Sequence, residues 1–147
     1  MSVAISGPPE SIRGSRVNAR GLRTNARLIL KGLDLSRAEL SIALVGDVEI
    51  KELNRDYRNR PRATDVLSFS LVEGDHSDHR RGMLGDVVIS VETAARQAAD
   101  MHRSLDERVV RLLIHGVLHL IGHDHVDDNE AHEMAAEERR LWRVLER

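Results

Sequence analysis

The most informative absence in this chain of 147 residues is cysteine, of which there is none. Without cysteine the chain cannot form a disulfide framework, ligate an iron–sulfur cluster, build a thiolate zinc site or use a cysteine nucleophile. Aromatic residues are also scarce, because Tyr57, Phe69 and Trp142 are the only three. The core must therefore be aliphatic, and the row of aromatic side chains on which single-strand-binding proteins stack bases is excluded.

Long hydrophobic runs are missing as well. No apolar stretch approaches the roughly 20 residues that a transmembrane helix requires, and the N-terminal region lacks the apolar segment of a signal peptide. With 41% hydrophobic and 31% charged residues, the composition is typical of a globular protein with a modest core. We therefore expect one cytoplasmic domain, 1–147, that makes no contact with a membrane.

Charges of both signs are abundant but unevenly distributed. The whole chain has a net charge of −2, whereas residues 1–31 contain five arginines and one lysine against the single acid Glu10. The N-terminal region is therefore strongly basic, and the rest of the chain is acidic overall. Such an asymmetry is compatible with a surface that faces a polyanion, and equally with a solvated helix face.

The spacing of the apolar residues predicts a small mixed α+β domain. Alternating or aliphatic runs predict strands over 3–6, 39–45, 65–71 and 84–91. Helical spacing predicts helices over 15–31, after Asp47, from Ser90 to about Met101, after Ser104, and over 128–146. We expect a small mixed sheet of three to four strands packed with about five helices.

Two of these helices have contrasting faces. Ser104 and Glu107 form the S-x-x-E pattern of a capping box. The apolar residues that follow cover most of the helix circumference: Val110, Leu113, Ile114, Val117, Leu118 and Ile121. This helix is predicted to be central and buried. The helix that Asp47 would cap has a narrower apolar face, formed by Ile50, Leu53 and Tyr57.

Three histidines near the end of the buried helix predict a metal site. His115 and His119 are four residues apart, which places both imidazoles on one face where they can bind one ion. Gly122 follows, and a glycine just past a helix end can adopt the left-handed conformation that turns the chain. His125 can then approach the same ion. Three neutral imidazoles leave one position for water, which is typical of catalytic zinc.

His123 is the competing third ligand. If the helix continued past Gly122, His115, His119 and His123 would form a stripe over two turns, about 12 Å long, which is too long for one ion. The spacing therefore favours His125 and predicts that His123 is partly exposed. The alternative interpretation is a set of core or solvated histidines, although imidazoles in an aliphatic helix would then need other polar partners.

The residue after the first histidine argues against peptide hydrolysis. The spacing H-x-x-x-H-x-x-G-x-x-H is that of the metzincin peptidases, which carry a glutamate directly after the first histidine as the general base. Here that residue is Gly116, which cannot accept a proton. A strong base is not obligatory, because zinc lowers the pKa of bound water to about 7. Asp124 could orient a ligand or a water, or could equally hold an imidazole or cap a helix.

A second basic cluster lies in the segment 51–62. Its four arginines and Lys51 outnumber two acids, which gives a net charge of +3. Arginine binds phosphate through two parallel hydrogen bonds, so a metal site beside these arginines suits phosphodiester cleavage better than peptide cleavage. For any single arginine of this segment, a solvated charge at a helix end is the simplest interpretation.

Three blocks of the sequence resemble the YbeY family of bacterial endoribonucleases and ribosomal RNA maturation factors. The first block joins residues 53–58 to residues 64–69, and the second is 84–90. The third block, 115–125, matches the family signature H-G-x-L-H-L-x-G-x-D-H at every defined position. The first 38 residues match only loosely, so no site residue is transferred to them.

The resemblance implies a zincin-like three-histidine site in which one Zn²⁺ is bound by His115, His119 and His125. It implies a metal-dependent, single-strand-specific endoribonuclease that acts in 16S rRNA 3′-end maturation and in ribosome quality control. It also implies catalytic roles for His115 and for Arg58, which matches the family's arginine that faces the cleft and acts on the phosphate. The implied partners are single-stranded ribosomal RNA, the small ribosomal subunit and an assembly GTPase.

Two other functions stay open from the residues alone. A ribosome-assembly factor with a mainly structural metal site is compatible with the few aromatic residues and with the missing catalytic carboxylate. A metallopeptidase-like hydrolase would need a glutamate from elsewhere in the chain. The nucleophile is open as well, since either water or the 2′-hydroxyl of RNA could attack the phosphate.

Overall fold

A computed structural model gives the fold, and it describes residues 2–58, 63–70, 82–124 and 127–146. Its strands are β1 (Ser2–Ser6), β2 (Ala38–Val45), β3 (Val66–Ser70) and β4 (Gly82–Ser90). Its helices are α1 (Ala19–Gly32), α2 (Asp47–Arg58), α3 (Val91–Asp100), α4 (Leu105–Leu120) and α5 (Asp128–Leu145). The predicted α+β architecture of a small mixed sheet with five helices is confirmed.

The four strands form one mixed sheet in the order β1-β2-β4-β3. The pairs β1–β2 and β2–β4 are parallel, whereas β3 is antiparallel to β4. Parallel neighbours need a crossover connection, and α1 provides the one between β1 and β2. The antiparallel strand β3 lies at the edge of the sheet, where it packs against α4.

The α4 helix lies in the centre of the core, as its sequence predicts. Nine of its 16 residues are buried, and they pack with the aliphatic side chains of the sheet, α1 and α5 into one cluster. The N-terminus is capped by Ser104, whose hydroxyl oxygen accepts a hydrogen bond from the Glu107 amide at 3.1 Å. The burial fixes the orientation of α4, and with it the direction in which its polar side chains project.

Gly116 brings α4 into direct contact with the sheet. A Cβ atom at this position would lie 2.7 Å from Val87 Cγ1 and 3.2 Å from Ser68 Oγ. The Ser68 hydroxyl also donates a hydrogen bond to the Gly116 carbonyl oxygen at 2.8 Å. Position 116 therefore faces the sheet and has no room for a side chain. Close packing thus explains why a glycine occupies the position at which the metzincins carry their general base.

Several sequence predictions about local structure are wrong in detail. The α1 helix begins at Ala19 rather than at residue 15, because Asn18 caps it by accepting a hydrogen bond from the Gly21 amide at 3.0 Å. Tyr57 is 70% exposed and is not part of a buried face, although its ring contacts Phe69 edge-on at 5.5 Å between centroids. Instead Asn54 is the buried polar residue of α2, with 4% exposure.

Within the described residues, no helix is both long and apolar enough to cross a bilayer.

Candidate functional site

The two helical histidines converge at their ring nitrogens. The Nε2 atoms of His115 and His119 lie 3.1 Å apart, and the ring centroids lie 4.6 Å apart with an interplanar angle of 72°. In a tetrahedral zinc site with zinc–nitrogen distances of about 2.0–2.1 Å, two nitrogen ligands are about 3.3 Å apart. The imidazole pair therefore fits a shared zinc ion in both chemistry and spacing, and the same spacing also allows a hydrogen bond between the rings.

The chain turns sharply directly after this pair. Gly122 has a φ of +101°, in the left-handed region that favours glycine. The Gly122 amide donates to the His119 carbonyl at 3.1 Å, and the His123 amide donates to the Leu118 carbonyl at 3.0 Å. This is the hydrogen-bond pattern of a Schellman motif, so α4 ends where the sequence predicts.

The third predicted ligand, His125, lies outside the described residues, and its place at the site stays a prediction. Its competitor His123 is half-buried, as the sequence predicts. Within the ranges that the structure describes, no group of three histidine, aspartate or glutamate side chains could hold a metal ion. The described part of the site is thus a pair of imidazoles that needs at least one further ligand.

Glu138 of α5 lies on the other side of the His115 ring. Its Oε2 atom is 3.7 Å from His115 Nδ1, and the two side chains are 37% and 31% exposed. A carboxylate beside Nδ1 favours the tautomer in which Nε2 is free to bind a metal. The 3.7 Å separation is longer than a hydrogen bond, so a positioning role of Glu138 for His115 is a hypothesis that rests on its charge and its place beside the ring. Glu138 was not identified from the sequence, because seven acidic residues lie between 124 and 138 and nothing distinguishes this one.

A polar cavity of about 260 Å³ opens beside His115. Among the described residues, its charged lining consists of two arginines and two carboxylates: Arg108, Arg111, Asp65 and Glu138. Small-molecule pockets are usually about 300–1,000 Å³, so this cavity has room for one small polar group such as a phosphate or a sugar. A longer ligand would have to extend over the surrounding surface.

The two arginines of this cavity differ in how firmly they are held. Arg108 donates to Gln97 Oε1 at 2.8 Å and lies 3.5 Å from Asp65 Oδ2. The Arg111 guanidinium lies over the Trp142 ring, 4.0 Å from its centroid, and remains 42% exposed. Stacking orients Arg111 while leaving its donors accessible. Sequence reasoning missed this residue, although its position four residues before His115 puts it on the same helix face.

Arg58, the predicted phosphate-binding residue, is the last residue of α2. Its side chain and residues 59–62 lie outside the described part of the chain, so its catalytic role stays a prediction. Its neighbour Arg55 pairs with Asp56 at 3.1 Å on the exposed surface of the helix.

The start of α2 is fixed by a network of hydrogen bonds around Asp47. Its Oδ1 atom accepts hydrogen bonds from the Ser90 and Thr93 hydroxyls, both at 2.6 Å, and its Oδ2 atom pairs with Arg96 at 2.8 Å. Burial raises the pKa of Asp47, but these hydrogen bonds and the Arg96 charge outweigh it, so the pKa lies below its ordinary value. The ionised carboxylate thus ties α2 to α3.

Known proteins are similar to this chain over most of its length, not only at the residues of the site. The family model described as endoribonuclease YbeY matches residues 15–146. The protein named endoribonuclease YbeY in Geobacter sulfurreducens is 42% identical over 132 residues, which cover 88% of each chain. Its namesake in Geobacter metallireducens is 42% identical over 149 residues, covering 100% of this chain and 97% of the relative.

The fold agrees with that of a solved structure. The solution structure of TM1509 from Thermotoga maritima superposes with a TM-score of 0.66 at 25% identity, covering 97% of this chain and 88% of the other. Taken with the family match over residues 15–146 and the relatives at 42% identity, the chain belongs to the YbeY family.

Proposed function

We propose that this chain is a zinc-dependent, single-strand-specific endoribonuclease that acts in 16S rRNA 3′-end maturation and ribosome quality control. The observation that carries the proposal is the 3.1 Å approach of the His115 and His119 Nε2 atoms beside a cavity lined by two arginines. The curated relatives are named endoribonucleases, which supports RNA as the substrate.

His115, His119 and His125 would hold the metal. Three imidazoles form a ligand set that Zn²⁺ accepts while one coordination position stays open. When bound, the ion would supply Lewis-acid chemistry to a phosphoryl oxygen or lower the pKa of a water molecule. Glu138, 3.7 Å from His115 Nδ1, would keep the ring in the orientation that presents Nε2.

Arginine side chains would bind the substrate phosphate. Arg111 is oriented by Trp142 and half exposed at the cavity, so its guanidinium can donate two parallel hydrogen bonds to phosphate oxygens. Arg58 is proposed to neutralise the charge that develops on the phosphate during cleavage. Both residues would act by positioning and by electrostatics, and neither needs to transfer a proton.

The packing of Gly116 weighs against a metallopeptidase. A glutamate at position 116 would have its Cβ 2.7 Å from Val87 Cγ1 and would point at the sheet. A general base in the metzincin position is therefore sterically disfavoured as well as missing. Phosphodiester cleavage is the reaction that better suits imidazole ligands beside arginines.

The wider biological role follows from the family resemblance. We propose single-stranded ribosomal RNA, the small ribosomal subunit and an assembly GTPase as partners, and the cytoplasm as the location. A ribosome-assembly factor with a mainly structural metal site is the second candidate. Against it, the side chain of His115 is 31% exposed and borders an open cavity, whereas a structural site is usually closed.

The test combines metal analysis of the purified protein with cleavage of a single-stranded ribosomal RNA fragment. We expect about one zinc ion per chain, loss of cleavage when the metal is chelated, and recovery when zinc is added back. Full cleavage by protein that contains no metal would contradict the proposal. Retained ribosome binding with no RNA cleavage by zinc-loaded protein would favour the assembly factor.

A further inference from the structure

The charge of α1 is not used by the proposed function. Of the five helices in the described ranges, α1 is the one without an acidic residue. It carries Arg20, Arg23, Arg27 and Lys31, and Arg13 and Arg16 lie in the turns before it. Across the described residues, none of these six side chains forms an ion pair.

Three of these cations form one stripe along the outer surface of α1. Arg20, Arg27 and Lys31 are separated by seven and by four residues, which are about two turns and one turn of helix, so they share a face. All three are exposed. The opposite face buries Leu22, Ala26, Ile29 and Leu30 in the core. This basic stripe extends for about 16 Å along the helix axis.

The stripe is unfavourable for the isolated helix. Arg27 and Lys31 are four residues apart, and like charges at this spacing destabilise a helix. Other helices place opposite charges at such spacings, as in the pairs Arg111–Glu107 and Arg140–Glu137. The contrast indicates that the cations of α1 are available to an external anion rather than to neighbouring side chains.

The stripe is held in a fixed relation to the histidine pair but does not belong to the same cavity. The Asn18 amide, at the start of α1, donates a hydrogen bond to Asp106 Oδ1 of α4 at 2.8 Å. Arg23 Nε donates to the Val3 carbonyl of β1 at 3.2 Å. No residue of α1 lines the cavity beside His115, so a ligand that contacts both surfaces must be extended.

We infer that the basic stripe is a docking surface for the phosphate backbone of RNA, separate from the site of cleavage. The choice of RNA as the polyanion rests on the proposed function. It is favoured over a lipid surface because the large exposed hydrophobic residues of the described chain, Val48, Tyr57, Met83 and Met101, all lie outside α1. An amphipathic membrane helix would present such residues beside its cations.

The surroundings of the histidines strengthen this assignment. Residues 124–138 contain seven acids and no lysine or arginine, and Glu138 lies beside His115. Outside the cavity, where Arg108 and Arg111 lie, the negative charge of this segment repels a phosphate backbone, and phosphate contacts supply most of the non-specific affinity for nucleic acid. A cationic surface elsewhere on the molecule would supply that affinity without disturbing the imidazoles.

The test is the affinity of the zinc-loaded protein for a fluorescent, single-stranded 2′-O-methyl RNA of about 20 nucleotides, measured over a range of salt concentrations. The stripe variant carries Arg20→Gln, Arg27→Gln and Lys31→Gln. We expect its Kd to rise about 10-fold or more at low salt, and the slope of log K against log salt to fall by about 2, because each phosphate contact to a single strand contributes about 0.7.

The matched control carries Arg103→Gln, Arg139→Gln and Arg143→Gln, three exposed arginines that lie off the stripe. It loses the same charge, and we expect its Kd to change by less than about 2-fold. A second variant, Arg20→Lys with Arg27→Lys, keeps the charge and should bind nearly as well as the unaltered protein. Circular dichroism establishes that each variant retains its helices.

Equal affinity of the stripe variant and the control variant for RNA would overturn the inference. So would loss by the stripe variant of binding to phosphatidylserine vesicles with unchanged RNA binding, which would assign the stripe to a membrane. Failure of the proposed function gives a different result: the unaltered protein would bind RNA through the stripe and leave an unmodified strand of the same sequence uncut.

Discussion

Two of the three helices that pack against α4, α1 and α5, carry opposite charges. The exposed face of α1 is basic and contains no acid, whereas the first part of α5 is crowded with acids and places Glu138 beside His115. A carboxylate near an imidazole supports metal binding but repels a phosphate backbone. The difference accords with the inference that RNA docks on the basic stripe of α1, away from the acidic residues of α5.

The largest effect is expected when a histidine ligand is removed from α4, the helix that contacts both α1 and α5. His115→Ala should abolish stoichiometric zinc binding and lower RNA cleavage by more than about 100-fold, since even a supporting group costs about 10–100-fold. Affinity for the 2′-O-methyl RNA should remain nearly unchanged. His132→Ala, an exposed histidine of α5, is the matched control. Retained zinc and cleavage in a folded His115→Ala protein would contradict the proposed site.

The Glu138→Gln variant tests whether the acidic helix α5 supports metal binding by His115. This change keeps the size of the side chain and removes the charge near His115 Nδ1, so zinc affinity should fall by about 10–100-fold. A competition titration against a chelating dye measures it. Glu133→Gln, an exposed acid on the same helix, should have no such effect. If both variants bind zinc equally well, Glu138 does not position His115.

A smaller effect is expected at Arg111, which lines the cavity beside His115 and keeps 42% of its side chain exposed beside its ion pair with Glu107. Hydrogen bonds to charged groups contribute about 1.5–3 kcal/mol, so Arg111→Ala should lower kcat/KM for RNA cleavage by about 10-fold or more. Arg111→Lys keeps the charge but loses the planar fork that stacks on Trp142, and should be intermediate. The exposed Arg143→Ala serves as the control, and equal activities of the two alanine variants would remove Arg111 from the site.

The smallest effect concerns an acid that serves stability rather than the site. The pKa of Asp47 is lower in the folded chain than its ordinary value of 3.8. Its ionised form therefore contributes stability that is complete above this ordinary value and is lost as the pH falls through the folded pKa. Asp47→Asn should destabilise the fold by about 1–3 kcal/mol at pH 7, with a difference that shrinks towards pH 3. A pH-independent difference in urea unfolding would contradict this interpretation.

Local signals in the sequence account for much of α4 and its end. The Ser104 cap, the wide aliphatic face and the turn at Gly122 were all predictable, because each depends on residues within a few positions of one another. The start of α1 was not, because the apolar spacing that predicted a start at residue 15 does not show that Asn18 caps the helix.

The side chains around the histidines were less accessible to prediction. Glu138 reaches His115 only because α5 packs against α4, and Asp65 lines the same cavity from a position just before β3. Gly116 could be interpreted from the sequence only as a missing base, since its contact with Val87 depends on how α4 lies on the sheet. Contacts between segments that are far apart in the chain follow no regular spacing, so a single sequence does not reveal them.

The most direct measurement is anomalous diffraction from crystals of the zinc-loaded protein. We expect one zinc ion at about 2.0–2.1 Å from the Nε2 atoms of His115 and His119. The imidazole of His125 should be the third ligand, and one position should remain open to solvent. A fully loaded crystal in which His115 and His119 bind no common ion, or in which His123 replaces His125, would contradict the proposed metal site.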